Sequence, residues 1–213
     1  MEAKRADSGL DSLLAHPAIW RGTNVAQTEV LATGSAALDE RLPGGGWPRS
    51  GLIEILLPCA GVGELSVMVP ALAAATQHPM ARWCIWVAPP LMPFAPALAA
   101  HGVMLQRLLM VRDPGSQALW TFEQVLGSGA CDIALGWLER VRARDIRRLQ
   151  LAAERGRTLG VLFRPRKYSR EASHATLRML LEPAVTGMRA NLLKSRGGVR
   201  GAFELHLPVQ EMC

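Results

Sequence analysis

The chain has 213 residues, of which 49% are hydrophobic, and a formal charge of +6; this supports one domain with a small appendage, excludes wholesale disorder, and suits an acidic partner such as nucleic acid without requiring one. Its four cysteines, Cys59, Cys84, Cys131 and Cys213, show no C-x-x-C spacing and no histidine near enough to complete a zinc signature, so no metal is expected and small core residues in a reduced compartment are. The opening residues lack the long apolar core of a signal peptide and no run suffices for a membrane helix, so a cytoplasmic protein without membrane attachment is expected.

In chain order, residues 8–15 predict a short amphipathic helix with Leu10, Leu13 and Leu14 on one face and Pro17 after it. HPAIWRG and a polar stretch to about Val30 read as a linker. Residues 1–30 are therefore expected as an interaction arm and residues 31–213 as the core domain. Trp20 and Arg21 are residue types favoured at interface hot spots, unless Trp20 folds back on the core. Ser35 is placed to cap a short helix holding Leu38 and Leu42, and glycines 44–46 form a tight loop. From Leu52 a strand–helix rhythm begins. LIEILL, RWCIWVA, QRLLMVR, CDIALGWL and RTLGVLFR read as strands; ELSVMVPALAAATQ, PFAPALAAHG, SQALWTFEQVLGSG and DIRRLQLAAERG read as helices, with Pro70 kinking or ending the first turns of its own. The expected class is α/β, a largely parallel twisted sheet flanked by helices. After the polar, basic RPRKYSREASH, the segments TLRMLLEP, GMRANLLKS and GAFELHLP predict an antiparallel C-terminal extension of that sheet.

Residues 56–66, LLPCAGVGELS, run from a strand through a glycine turn, as a phosphate loop does. Such a loop reads G-x-x-x-x-G-K-[ST]: backbone N–H groups cradle phosphates, the lysine reaches the β and γ oxygens, and the hydroxyl holds magnesium. With Gly63 as the last glycine, Pro58 takes the first position, Glu64 the lysine's and Leu65 the hydroxyl's, while Ser66 falls one residue late. Gly61 and Gly63 still permit the turn. The charge is inverted, however. At about 4 Å and an effective dielectric near 20, each unit pair is worth about 4 kcal/mol, and here it repels a triphosphate. Glu64 also has a structural role open to it, as a carboxylate in the first turn of a helix.

The order of motifs resembles the RecA core. ATGSAALDERLPGGGWPRSGLIEILLP keeps Thr33, Gly34, Ser35, Leu38, Asp39, Gly44, Gly45, Gly46, Gly51 and Glu54 of its opening, SGACDIAL resembles the approach to its Walker B strand, and LLKSRGG its late lysine-bearing strand. HPAIWRG, the lysine-free loop and KSRGG are similar to the narrower ImuA family of translesion DNA synthesis-associated, RecA-like and SulA-related proteins. This resemblance implies a RecA-like core and a place in the SOS response. Its implied partners are ImuB, an inactive Y-family polymerase homologue, RecA, and an error-prone polymerase III alpha subunit, with self-association open. Carried over residue by residue, the catalytic glutamate's place falls at Ala88–Pro90, the Walker B aspartate's on Trp137 and the polar sensor's on Arg164. Lysine, magnesium-side hydroxyl, general base and metal-side aspartate are all missing, so neither phosphoryl transfer nor a cofactor is expected.

Surfaces remain. The basic segment with Arg164, Arg166, Lys167, Tyr168 and Arg170 is a candidate single-strand DNA contact, with the tyrosine to stack on a base, or else a solvated loop. Lys194 and Arg196 are candidates for a protein interface or for capping a sheet edge. Arg140, Arg142, Arg144, Arg147 and Arg148 read as a solvated helix face with Glu139 and Asp145 as partners. The expected function is a non-catalytic adaptor in DNA-damage-induced translesion synthesis. A RecA-type ATPase and a SulA-like division inhibitor are the alternatives.

Overall fold

The computed structural model describes residues 30–195 and 199–205. Two short antiparallel strands, β1 (Val30–Leu31) and β2 (Trp47–Pro48), bracket a one-turn helix, α1 (Ala36–Asp39). Ser35 stands at the N-cap of α1, but its side chain makes no capping bond. The entry is fixed instead by the Thr33 N–H, which donates to Asp39 Oδ1 at 3.2 Å, and by the Thr33 hydroxyl, which donates to the Ser35 carbonyl at 3.1 Å.

The strand–helix rhythm then runs as expected: β3 (Gly51–Leu57), α2 (Val69–Gln77), β4 (Trp83–Val87), α3 (Ala95–Ala100), β5 (Leu108–Val111), α4 (Ala118–Gly127), β6 (Cys131–Trp137), α5 (Ala143–Gly156) and β7 (Leu159–Pro165). Three strands close the described chain, β8 (Leu177–Ala184), β9 (Gly187–Ser195) and β10 (Gly201–Leu205). They build one eight-stranded sheet in the order β10-β9-β8-β3-β7-β6-β4-β5. All neighbours from β8 to β5 are parallel, and β9 and β10 extend the sheet antiparallel. The protein is thus α/β, with a mixed, mostly parallel sheet. Among the described residues no helix is long and apolar enough to cross a membrane.

The central strands are apolar on both faces because helices cover both. Ile53, Ile55 and Leu57 of β3 join Ala71, Leu72 and Ala75 of α2 on one face. Leu52 of β3 joins Phe122 and Leu126 of α4 and Ile146, Leu149 and Ala153 of α5 on the other. Helix α5 shows why it lies where it does: Ile146, Leu149, Ala152 and Ala153 form a buried stripe at helical spacing, and Arg144, Arg147 and Arg148 face outward. Its first turn is closed by the Arg142 N–H donating to Asp145 Oδ2 at 3.3 Å. Asp145 also faces Arg144 and Arg148, and Arg148 pairs with Glu123 of α4.

One polar group interrupts the second face. Alternation along β3 puts Glu54 on the same side as Leu52, with no exposed surface. An isolated carboxylate there would be too costly to keep charged. It is instead clamped by two guanidinium groups: Arg164 Nη1 of β7 at 2.8 Å and Arg178 Nε of β8 at 2.7 Å. Strand register supplies both, since Arg178 is the direct neighbour of Glu54 across β3–β8 and Arg164 pairs with Leu56, two residues along, across β3–β7.

A buried pair broken from one side leaves a charge without a partner, at a cost of about 3–5 kcal/mol. Glu54→Ala is expected to lose at least about that much stability in urea unfolding, because two cations are orphaned. The triple replacement Glu54→Leu, Arg164→Met, Arg178→Leu is expected to recover most of the loss, since an apolar trio needs no desolvation.

Candidate functional site

The site lies where the parallel strands end. Loop 58–68 follows β3, and Gly61 and Gly63 take positive φ of 81° and 98° there, which a side chain would strain. The expected helix from Glu64 does not form. Successive turns come first, Ser66 N–H to Gly63 O at 3.0 Å and Met68 N–H to Leu65 O at 2.8 Å, and α2 starts only at Val69. Pro70 is the reason. Inside a longer helix its ring would meet the carbonyl four residues back, whereas at the second helical position its missing N–H costs nothing.

Glu64 therefore has no helix turn to stabilise, which corrects the expected dipole role. Its carboxylate folds back, buried, onto the loop, and both oxygens accept from the Gly61 N–H at 3.1 Å. The loop's backbone donor, the kind of group that would cradle a phosphate, is taken by the chain's own anion. Trp137 Nε1, at the end of β6, adds a long donation to Glu64 Oε1 at 3.5 Å. The Trp137 ring stacks on Phe163 of β7, with centroids 4.8 Å apart, and lies 5.7 Å from the Trp86 ring of β4. Leu65 packs on the core as a partly buried apolar side chain. Pro58 lines a cleft of about 280 Å³ with Cys59, Ala60, Trp137 and Phe163.

Thus Pro58, Gly61, Gly63, Glu64, Leu65 and Trp137 are brought together, as a closed loop backed by stacked aromatics. A carboxylate at Gly136, next to Trp137, is sterically barred as well: a β-carbon there would come 2.8 Å from the Phe122 ring. Among the described residues no group of three or more His, Cys, Asp or Glu side chains is placed to hold a metal ion.

The basic segment is partly corrected. Arg164 cannot touch DNA, because its side chain is wholly buried on Glu54 and also donates to the Val141 carbonyl at 2.9 Å. Arg166 pairs with Glu182 at 3.0 Å and Lys167 with Glu139 at 2.8 Å. The hydrogen bond from Lys167 holds the Glu139 carboxyl below the usual carboxylate range, and that from Glu139 raises the Lys167 ammonium. The Tyr168 ring carries the Arg164 guanidinium 4.3 Å from its centroid and Lys167 Nζ at 5.2 Å, so it is not a bare stacking platform. Arg170 is exposed. Lys194, on β9, donates to the Ser173 carbonyl at 2.8 Å. Leu10, Leu13, Leu14, Trp20, Arg21 and Arg196 lie outside the described residues.

Two features escaped the sequence reading. Arg178 was signalled by Glu54 itself, since an ionisable residue inside an apolar strand demands a partner. The loop after β4 exposes Leu91, Met92 and Phe94 together, and four prolines between residues 89 and 96 were the hint that no helix begins before Ala95.

The cysteines divide sharply. Burial, then the Asp132 charge, pushes the Cys84 thiol up to about 12 from an ordinary 9.0. Burial, then Cys84, pushes Cys131 up as well, while Cys59 is exposed.

Comparisons with known proteins return two kinds of relative. The cell division inhibitor SulA of Edwardsiella piscicida is 31% identical over 121 residues, 56% of this chain and 71% of that protein. SulA of Photorhabdus laumondii is 34% identical over 99 residues, 46% of this chain and 56% of its own length. Protein ImuA of Caulobacter vibrioides is 29% identical over 206 residues, covering 84% of this chain and 83% of that protein. Among solved structures, SulA from Pseudomonas aeruginosa superimposes with a TM-score of 0.45 at 23% identity, over 53% of this chain and 97% of that one. No family model matches the chain.

Two outcomes are expected at this site. Glu64→Ala strands the Gly61 donor and loses about 1.5–3 kcal/mol, as for a hydrogen bond to a charged group, whereas Glu64→Gln keeps an acceptor and loses less; urea unfolding of the two measures the difference. In a Cys213→Ser background, a thiol reagent modifies Cys59 in the folded protein and reaches Cys84 and Cys131 only on unfolding. Because the folded state favours the neutral buried thiols, their contribution to stability is constant below the ordinary value of 9.0 and falls above it. The fall is about 1.4 kcal/mol per pH unit per thiol, so Cys84→Ala is expected to remove about half of it, leaving the share of Cys131, in unfolding curves taken at rising pH.

Proposed function

We propose a function from one premise: the chain belongs to the family of SulA-related proteins. Its likeness to ImuA runs over 84% of its own length and 83% of the Caulobacter protein's, so the ImuA role is the one proposed. On this reading the domain is a RecA-like core that has lost its nucleotide site. It serves the DNA-damage response as a non-catalytic adaptor of SOS-induced translesion synthesis in the cytoplasm. It would join an ImuB-like inactive Y-family polymerase homologue to RecA on DNA and to an error-prone polymerase III alpha subunit.

The observation that carries the non-catalytic reading is the Glu64 carboxylate seated on the Gly61 N–H. A phosphate entering that loop would have to displace a charge-assisted bond and then face the displaced charge, two unfavourable steps where a phosphate loop offers two favourable ones. The burial of Arg164 and the pairing of Arg166 and Lys167 support an adaptor that meets DNA through RecA more than one that grips it directly. Division inhibition is the second reading, favoured by the SulA relatives at 31% and 34% identity, though these match only 56% and 46% of the chain.

ATP with magnesium is expected to leave the melting temperature unchanged, where a ligand at a hundredfold excess over its Kd would stabilise by about 2.7 kcal/mol. The purified chain is expected to co-elute with the ImuB-like homologue in size-exclusion chromatography. Phosphate release in the presence of DNA would sink the non-catalytic reading. Failure to bind the homologue, together with arrest of division on overexpression, would put the SulA reading in its place.

A further inference from the structure

We propose that the end of the sheet carrying loops 58–68 and 88–94 is a docking surface for an acidic protein segment with apolar anchor residues. It deepens the adaptor reading by naming the face that binds and the chemistry of what it binds, and it rests on that reading for its biological use.

The apolar half of the surface is the loop between β4 and α3. Leu91, Met92 and Phe94 are 63%, 60% and 73% exposed, three large apolar side chains within four residues. Scattered exposed leucines need no explanation, but a cluster of this kind marks a binding site. The loop divides two clefts. One, of about 280 Å³, takes in Pro90 and runs back to Trp137 and Phe163. The other, of about 260 Å³, takes in Pro93 and Phe94 and runs to Leu98 and Pro70. The ridge is continuous with the closed loop, since a β-carbon on Gly61 would lie 3.1 Å from Leu91 Cδ1. Prolines 89, 90 and 93 fix φ along it, so little backbone freedom remains to be lost on binding.

The charged half comes from the loops that line the same cleft. Glu139 and Pro165 border it, and Arg140 and Arg166 follow them in the chain. Glu139 and Glu182 are already matched to Lys167 and Arg166. The charge of exposed Arg140 also acts on Glu139, and exposed Arg142 and Arg170 form no side-chain salt bridge with a carboxylate among the described residues. The rim therefore carries an excess of positive charge around an apolar centre, complementary to carboxylates flanking apolar side chains. A nucleic-acid strand fits less well, because the cleft's aromatic rings stack on each other and offer no free face to a base.

The test uses the full chain with Cys213→Ser and an environment-sensitive fluorophore on Cys59, which borders the cleft and is exposed. A random-peptide phage library is panned against the unlabelled chain, and the enriched peptides are synthesised and titrated into the labelled one. Enriched sequences are expected to place Leu, Ile, Met or Phe beside Asp or Glu and to change the Cys59 signal. The double variant Leu91→Asp, Phe94→Asp is expected to weaken them by about tenfold or more, as hot-spot losses do. Arg140→Glu with Arg170→Glu is expected to weaken them less and to reduce their salt dependence. Val185→Asp, on a fully exposed turn between β8 and β9, leaves binding unchanged and reports on folding. Peptides without this composition, or insensitive to Leu91 and Phe94, overturn the proposal. So does an oligothymidylate that binds the labelled chain and loses affinity in the same double variant, or a dimer in sedimentation that the variant dissolves. If the peptides dock here while the ImuB-like homologue does not bind at all, the adaptor reading falls and the surface stands. If the homologue binds the double variant as tightly as the parent, the surface falls as its site and the adaptor stands.

Discussion

A carboxylate sealed between two arginines sets the geometry of the functional end. Glu54 joins β3 to β7 through Arg164 and to β8 through Arg178. The arginines then reach past the sheet. Arg164 holds the Val141 carbonyl ahead of α5, and Arg178 donates to the carbonyls of Tyr168, Ser169 and Glu171. One buried anion thus pins the loop after β6 and the loop after β7. Burying three charges offers no net gain over an apolar trio. What the network supplies here is position: two arginines, with donors arranged in a planar fork, hold two loops by their backbone carbonyls.

Loop 58–68 is closed by the same economy of polar groups, in the opposite sense. There the anion is internal and the donor is backbone. Glu64 satisfies Gly61 and is itself backed by Trp137, whose ring lies in the aromatic stack at the strand ends. On the proposed reading, three replacements support each other. Without the lysine, the carboxylate can occupy the cradle. Without an aspartate at position 137, an indole can stack on Phe163. With Phe122 against Gly136, a shift of that aspartate by one residue has no room. Reversal at one position would leave the other two in place.

The sheet was legible in the sequence because its strands are short apolar runs and its helices carry a clear outer face; every strand expected after Leu52 is present. The failures have local causes. Helix α2 was read from Glu64, with Pro70 kinking or ending its first turns; the proline in fact fixes its start at Val69, five residues later than the pattern suggested. Arg164 was read with its neighbours as one basic run. Burial separates them: position 164 still belongs to β7 and points inward, while 166 and 167 lie beyond the strand. Composition cannot draw that line, because it depends on which residue of β7 sits beside β3. The Glu64–Gly61 contact was hidden for the same reason, as it needs a turn geometry that only the following proline dictates.

A closed cradle also changes how this end of the molecule can be regulated. A ligand shifts a conformational equilibrium only by as much as it prefers one state over the other. In a nucleotide switch that preference comes from the terminal phosphate and its metal ordering nearby loops. Here the carboxylate on loop 58–68 is covalently part of the chain, so its effective concentration is fixed, and the two loops beside it are held by a buried network of the chain's own side chains. On the proposed reading, the docking face is therefore permanently presented. Binding is then governed by the amounts of the chain and its partner.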